Sequence, residues 1–311
     1  MSSEGPFILT VSAEVLDDRT FDRDLLNQLA PLYRRLQHET RPLSVSEVIL
    51  DLSRVQAIFP YAALGVLVLI EGFAAIFGRR TRLRLPAFAN APECVRWIAG
   101  SGFVQAALPW ADVEPMLCGR GHPIRNDPYI IPIRMIEARG HYLDLIEELL
   151  DKVPFLLGSA LSQTACMRII TAFSELCQNI LYYGGNERGV RGYAMLQAFK
   201  GIVKFAVADL GRGIPRMLQP KYESKIVPWD DSLAIALAME SGVTTRPNGG
   251  GLGLHHVREM VWKYKGILNI RSGRGKLLVS RGDQYPYLAR GIYRGPMYFW
   301  GTQIGIVLDR L

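Results

Sequence analysis

The sequence has no Cys-x-x-Cys pair: its four cysteines, Cys94, Cys118, Cys166 and Cys177, are scattered along the chain. That spacing argues against a disulfide scaffold and a structural zinc site, and points to a reducing, cytoplasmic setting. The first residues, MSSEGPFILTVSAEV, lack a basic segment followed by an apolar one, so no signal peptide is expected. No internal repeat is present, and the 30 glycines and 18 prolines follow no period, which excludes collagen-like and low-complexity classes. Charged residues are only 21% against 49% hydrophobic, a balance that fits packed cores and not disorder. The net charge of +7 permits nucleic acid or an anionic membrane as a partner and requires neither. A chain of 311 residues is long enough for two domains.

One apolar run, AIFPYAALGVLVLIEGFAAIFG from Ala57 to Gly78, is nearly long enough to span a bilayer. Pro60 near its start, Glu71 inside it and the strand-like VILDLS before it predict instead a buried helix of an α/β domain, with no membrane partner. Around it, strand and helix patterns alternate. PFILTVSAEV and TRLRLP read as strands, Asp22 to Leu36 as a helix with Leu25, Leu29, Leu32 and Leu36 inward, and Ala91 to Gly100 as another. Residues 112–128, rich in Pro, Gly and charge, read as a linker between a domain at 1–111 and one at 129–311. Beyond it come a strand in YIIPIRMI, helices over Gly140–Lys152 and Ser159–Tyr183, and a strand in VKFAVADLG. A loop-rich middle follows, then a helix after Leu252 and strands at GILNIRSG, GKLLVSR and GTQIGIVL. The fold class is α/β.

Three motifs in the second half carry chemistry. Glu175 and Asn179, in SELCQNILYYGG, are one helical turn apart on the face away from Phe173. A carboxylate there can orient or deprotonate a water or hydroxyl, and an amide oxygen is a hard ligand suited to Mg²⁺. Asp209-x-Gly211-x-Gly213 ends a strand, placing an acceptor beside glycines that let backbone approach a flat ring. Gly249, Gly250, Gly251 and Gly253, with Leu254, run into a helix start whose N–H groups can cradle phosphates. Each has an ordinary structural alternative: two polar residues on a helix surface, a capped turn, a glycine hinge. The third is not a Walker A loop, because no Gly-Lys-Ser/Thr follows, nor a dinucleotide fingerprint, because no strand precedes it.

In order and spacing, with a closing Gly-Thr strand, these motifs resemble the GHKL ATPase superfamily, which includes gyrase, Hsp90, MutL, histidine kinases and anti-sigma-factor serine kinases. The resemblance runs from Tyr129 to the C-terminus and implies an α/β sandwich of the Bergerat type binding Mg·ATP. It implies Glu175 as general base, Asn179 as Mg²⁺ ligand and Asp209 as acceptor for the adenine amine, supported through a water by Thr302. Gly211 and Gly213 would shape the adenine pocket; Gly249, Gly251, Gly253 and Leu254 would cover the phosphates, in a lid between Ile214 and Leu254 that ATP orders. Glu175 separates the chain from sensor histidine kinases, and nothing around His141 looks like their phosphoacceptor box.

Residues 6–111 resemble a STAS domain, the fold of anti-sigma-factor antagonists, through the strand ending in Asp51-Leu52-Ser53, its loop, the glycine-containing apolar helix and the next strand. Antagonists carry an acidic-serine-serine-glycine segment at that loop; this chain has Phe59-Pro60-Tyr61-Ala62. Only Tyr61 or Ser53 offers a hydroxyl there, and Ser53 is expected to cap the strand end. The two resemblances imply a regulatory protein whose STAS-like part is a docking module in cis. It would act as a serine/threonine kinase on a partner protein, as an ATPase switch in a larger protein or nucleic-acid complex, or as a nucleotide-dependent binder with little turnover, and a homodimer is open. Arg271, Arg274, Lys276 and Arg281 are expected on a solvated hairpin, Arg246 and Lys221 near a γ-phosphate or free at the surface, and Tyr293, Tyr298, Phe299 and Trp300 in packing.

Overall fold

The computed structural model describes residues 5–33, 45–115, 130–158, 161–186, 189–199, 201–246, 250–280 and 292–308. The chain divides into two compact units, Met1–Pro128 and Tyr129–Leu311, and both mix helices with sheet.

In the first unit β1 (Phe7–Thr10), β3 (Val48–Asp51), β5 (Thr81–Arg84) and β6 (Ala111–Glu114) form a parallel sheet in the order β1-β3-β5-β6. A short pair, β2 (Val15–Leu16) with β4 (Ala57–Ile58), lies beside it. The linker expected from Asp112 therefore begins later, because Ala111–Glu114 pairs with β5 as an edge strand. β1 is shorter than its alternating pattern predicts. Past Thr10 the backbone N–H groups of Ser12 and Ala13 turn to the Asp24 carboxylate, at 2.9 and 2.8 Å, and leave the ladder. Burial opposes the charge of Asp24, but Arg23, Ser12 and Ala13 hold its carboxyl at about 2. The helix expected from Asp22 starts earlier, at α1 (Asp18–Phe21), where Asp17 and Thr20 form a reciprocal capping box. It continues as a π turn over Asp22–Leu26 that carries Asp24, and a 3-10 turn over Asn27–Leu29; Leu36 lies outside the described residues.

The apolar run forms α2 (Pro60–Phe77), with Pro60 at the first turn, where a missing N–H costs nothing, and left-handed Gly78 at its end. It is the one helix among the described residues long and apolar enough to cross a membrane, and 78% of it is buried inside the protein. α3 (Pro92–Gly100) and α4 (Phe103–Ala107) complete the unit.

The second unit is an antiparallel sheet in the order β12-β13-β11-β10-β7, built from β7 (Ile130–Ile136), β10 (Gly192–Phe199), β11 (Ile202–Asp209), β12 (Ile267–Val279) and β13 (Ile292–Leu308). A two-residue ribbon, β8 (Gly185–Asn186) with β9 (Gly189–Val190), precedes β10. One face of the sheet packs on α5 (Arg139–Leu157), α6 (Gln163–Tyr183) and α9 (Gly253–Lys263), with Phe173 of α6 edge-to-face on Phe205 of β11 at 5.3 Å.

Three features depart from the sequence patterns. β10 escaped the sequence patterns altogether. The expected loop-rich middle holds α7 (Ile214–Tyr222) and α8 (Asp231–Ala238); Pro215 sits in the first turn of α7, and Asp230 caps α8 through the Ser232 and Leu233 N–H groups. GILNIRSG and GKLLVSR are one strand, β12, bent by register shifts around Gly273.

Candidate functional site

β11 ends on Asp209, and its register sets Asp209 opposite Thr302 of β13. Asp209 Oδ1 accepts from the Gly211 N–H at 2.8 Å, and the Thr302 backbone N–H also bonds the carboxylate. Thr302 thus meets Asp209 directly through its main chain, while its hydroxyl lies 3.3 Å from Ser272 Oγ. Only 8% of Asp209 is exposed, and burial pushes its carboxyl up to about 7 against those two N–H donors.

Between pH 3.8 and about 7 the folded chain holds a proton on Asp209 that the unfolded chain has lost, so stability falls as pH rises through that window. Asp209→Asn is expected to remove this component of the slope. Thermal melts of both proteins from pH 5 to pH 8 measure it; parallel profiles would mean the carboxyl ionises normally.

Glycines let backbone close in around Asp209. A Cβ on Gly211 would fall on the Tyr183 carbonyl oxygen, and one on Gly301 on the Asp209 carbonyl oxygen. Gly213 has φ +79°, and the N–H of the next residue, Ile214, donates to Ser272 Oγ at 2.8 Å. Ser272 Oγ in turn donates to the Gly301 carbonyl at 2.7 Å. This buried serine ties the start of α7 to the Gly301–Thr302 strand. It had no sequence signal, because its partners lie 58 and 29 residues away.

α6 turns Phe173, Leu176, Cys177 and Ile180 into the core and leaves Glu175 and Asn179 half-buried on the opposite side. Gly251, at φ +84°, abuts the Val243 carbonyl, and Gly242 N–H donates to the Gly251 carbonyl at 3.1 Å. This brings the N-terminus of α9 over α6, where a Cβ on Gly253 would lie 2.8 Å from Glu175 Oε2. The result is a cavity of about 330 Å³ whose walls hold Glu175, Asn179, Asp209, Gly213, Gly251, Gly253, Leu254 and Thr302, between apolar side chains such as Ile180, Ile214 and Ile304. Gly211 stands behind Asp209 and does not line the cavity; Gly249 lies outside the described residues.

Of the two settings expected for Arg246 and Lys221, near a phosphate or free at the surface, only the second is ruled out, because both side chains are engaged. Arg246 is no free surface charge: its Nε donates to Tyr183 Oη at 3.1 Å, its Nη2 to Asn179 Oδ1 at 3.2 Å, and its guanidinium lies 3.6 Å from the centre of the Tyr182 ring. Lys221 donates to the Thr244 carbonyl at 2.8 Å. Arg271 is 4% exposed and belongs to the interior, while Arg274 is exposed and Lys276 half-buried on the same strand, so Arg271 departs from the expected solvated basic stretch; Arg281 lies outside the described residues. Phe299 is packed as expected, while Tyr298 and Trp300 are half-buried. In the first unit Tyr61 is buried, and Asp51, not Ser53, caps the end of β3, its Oδ1 accepting from the Ser53 N–H at 2.9 Å.

No protein-family model matches this chain, and no curated protein sequence matches it.

Proposed function

We propose that Tyr129–Leu311 is a GHKL-type domain binding Mg·ATP and acting on a partner regulatory protein, and that the first unit is a STAS-like docking or regulatory module controlling it in cis or in a dimer mate. The observation that carries this reading is the convergence of Glu175, Asn179, Asp209 and the Gly251–Gly253 helix start on one cavity, from segments far apart in the chain. Asp209, recessed among apolar side chains, suits the exocyclic amine of an adenine, and the glycines around it admit a planar ring. The N-terminus of α9, where no N-cap side chain bonds the first turn, offers backbone N–H groups to phosphates. Asn179 fits a magnesium ligand, because its Oδ1 already accepts from a cation, the Arg246 guanidinium. Asn179 would hold the magnesium, which would supply charge neutralisation to the phosphates. Glu175 holds the attacking water or hydroxyl and takes its proton. With Tyr61 buried and Ser53 exposed, the phosphoacceptor of a kinase reaction is assigned to a partner protein or to Ser53. A cytoplasmic setting suits the free thiols of Cys94, Cys166 and Cys177.

The test is incubation of the full chain with Mg²⁺ and γ-labelled ATP, alone and with lysate of its host. Label released as phosphate supports an ATPase switch; label on another protein supports the kinase and identifies its substrate. Label that stays on ATP throughout removes Glu175 from catalysis and leaves a nucleotide-dependent binder. A chain that binds no ATP at all overturns the reading.

A further inference from the structure

Arg246 is held from three sides. Its guanidinium lies 3.6 Å above the centre of the Tyr182 ring, close enough for a substantial cation–π attraction. Its Nε donates to Tyr183 Oη, and its backbone N–H donates to Thr244 Oγ1 at 3.1 Å. Thr244 is itself fixed, its carbonyl accepting from Lys221 Nζ and Tyr222 Oη and its N–H donating to Tyr222 Oη at 3.2 Å. These anchors aim one of the two remaining arms, Nη2, at Asn179 Oδ1.

That amide oxygen is the atom assigned above to a divalent cation; its two lone pairs could accept both, but a guanidinium and a divalent cation on one oxygen would lie within a few ångströms of each other and repel. We propose that Arg246 is a tethered cation that competes with the divalent metal for Asn179, so that this residue sets how strongly nucleotide binding depends on the metal. The proposal rests on the Mg·ATP reading of the cavity and adds a role for a residue outside its motifs. When metal enters, Nη2 must leave Asn179 and the stack on Tyr182 is strained or lost. Without metal, Nη2 stays on Asn179 and the stack on Tyr182 is kept. Wild-type protein therefore shows a compressed difference between metal-bound and metal-free nucleotide affinity.

The experiment is calorimetric titration of the full chain with a non-hydrolysable ATP analogue, once with excess Mg²⁺ and once with EDTA. The ratio of the two affinities is expected to rise about tenfold in Arg246→Met, the equivalent of one charged hydrogen bond or cation–π contact. Tyr182→Leu, which keeps every charge, should shift the ratio the same way by a smaller factor. In an Asn179→Ala background Arg246→Met should leave the ratio unchanged, since the shared oxygen is gone. If Arg246→Met weakens both affinities equally, Arg246 is an ordinary phosphate ligand and the competition is wrong. A ratio that falls, or an effect that persists without Asn179, also overturns it. Absence of analogue binding in wild type under both conditions overturns the Mg·ATP reading and this inference with it, an outcome distinct from binding with an unchanged ratio.

Discussion

Glu175→Gln is expected to bind ATP within about twofold of the parent affinity while turning it over at least about a hundredfold more slowly. The reason lies in where the carboxylate sits. α6 presents it half-buried on the cavity side, one turn before Asn179, with the N-terminal backbone of α9 against Oε2. Glutamine keeps the shape, the packing against Gly253 and one acceptor oxygen, so the architecture of the proposed phosphate region survives. What it loses is the capacity to take a proton, which is the whole of the role assigned to a general base. Phosphate release or transfer measured beside calorimetric affinity separates the two properties. Parent-like turnover would remove Glu175 from the chemistry; lost affinity with lost turnover would make it a structural support of the site.

Gly211→Ala is expected to destabilise the protein by about 2–4 kcal/mol and to weaken ATP binding with it. The new Cβ would fall on the Tyr183 carbonyl oxygen at the end of α6 and come within 2.8 Å of Gly184 Cα and 2.9 Å of Asp209 Oδ1. Two of these neighbours are main chain, so no side chain can swing aside; the end of α6 and the Asp209 loop have to part. That movement separates Asp209, the proposed adenine acceptor, from the helix bearing Glu175 and Asn179. Gly140→Ala is the control, because a Cβ there meets nothing within 4 Å. It gains helix propensity in α5 and should be neutral or slightly stabilising. Denaturant unfolding of the two variants gives the comparison, and equal midpoints would show that the close approach at Gly211 relaxes without cost.

The parts of the site legible in advance are those whose geometry is set within a few residues. Glu175 and Asn179 share a face because the helix repeat puts them there, and the inward stripe through Phe173 shows which face remains. Asp209 followed by glycines marks a strand end by the same local logic. The alternation of strand and helix patterns likewise identifies a mixed α/β chain. Helices α7 and α8 were hidden by Gly213, Pro215, Pro220 and Pro228, which punctuate chains in general but here flank helices, sit in a first turn or lie near a helix end.

What joins the pieces depends on contacts across long stretches of chain. Asp209 receives the Thr302 N–H because β11 and β13 pair in one register out of several possible, and shifting it by one residue would turn Thr302 to the other face. Ser272 finds Gly301 and Ile214 through the bend of β12, Arg271 on the same strand is drawn into the interior, and Arg246 meets Asn179 across 67 residues. The sequence by itself determined the local periodicities, the chemistry of each motif and the positions of the glycines, since these depend on backbone sterics and side-chain type alone. Only the tertiary structure decided which cation faces Asn179, which main-chain donors hold Asp209 and which basic residues are buried, because strand register and helix packing are settled by the joint burial of apolar surface over the whole unit.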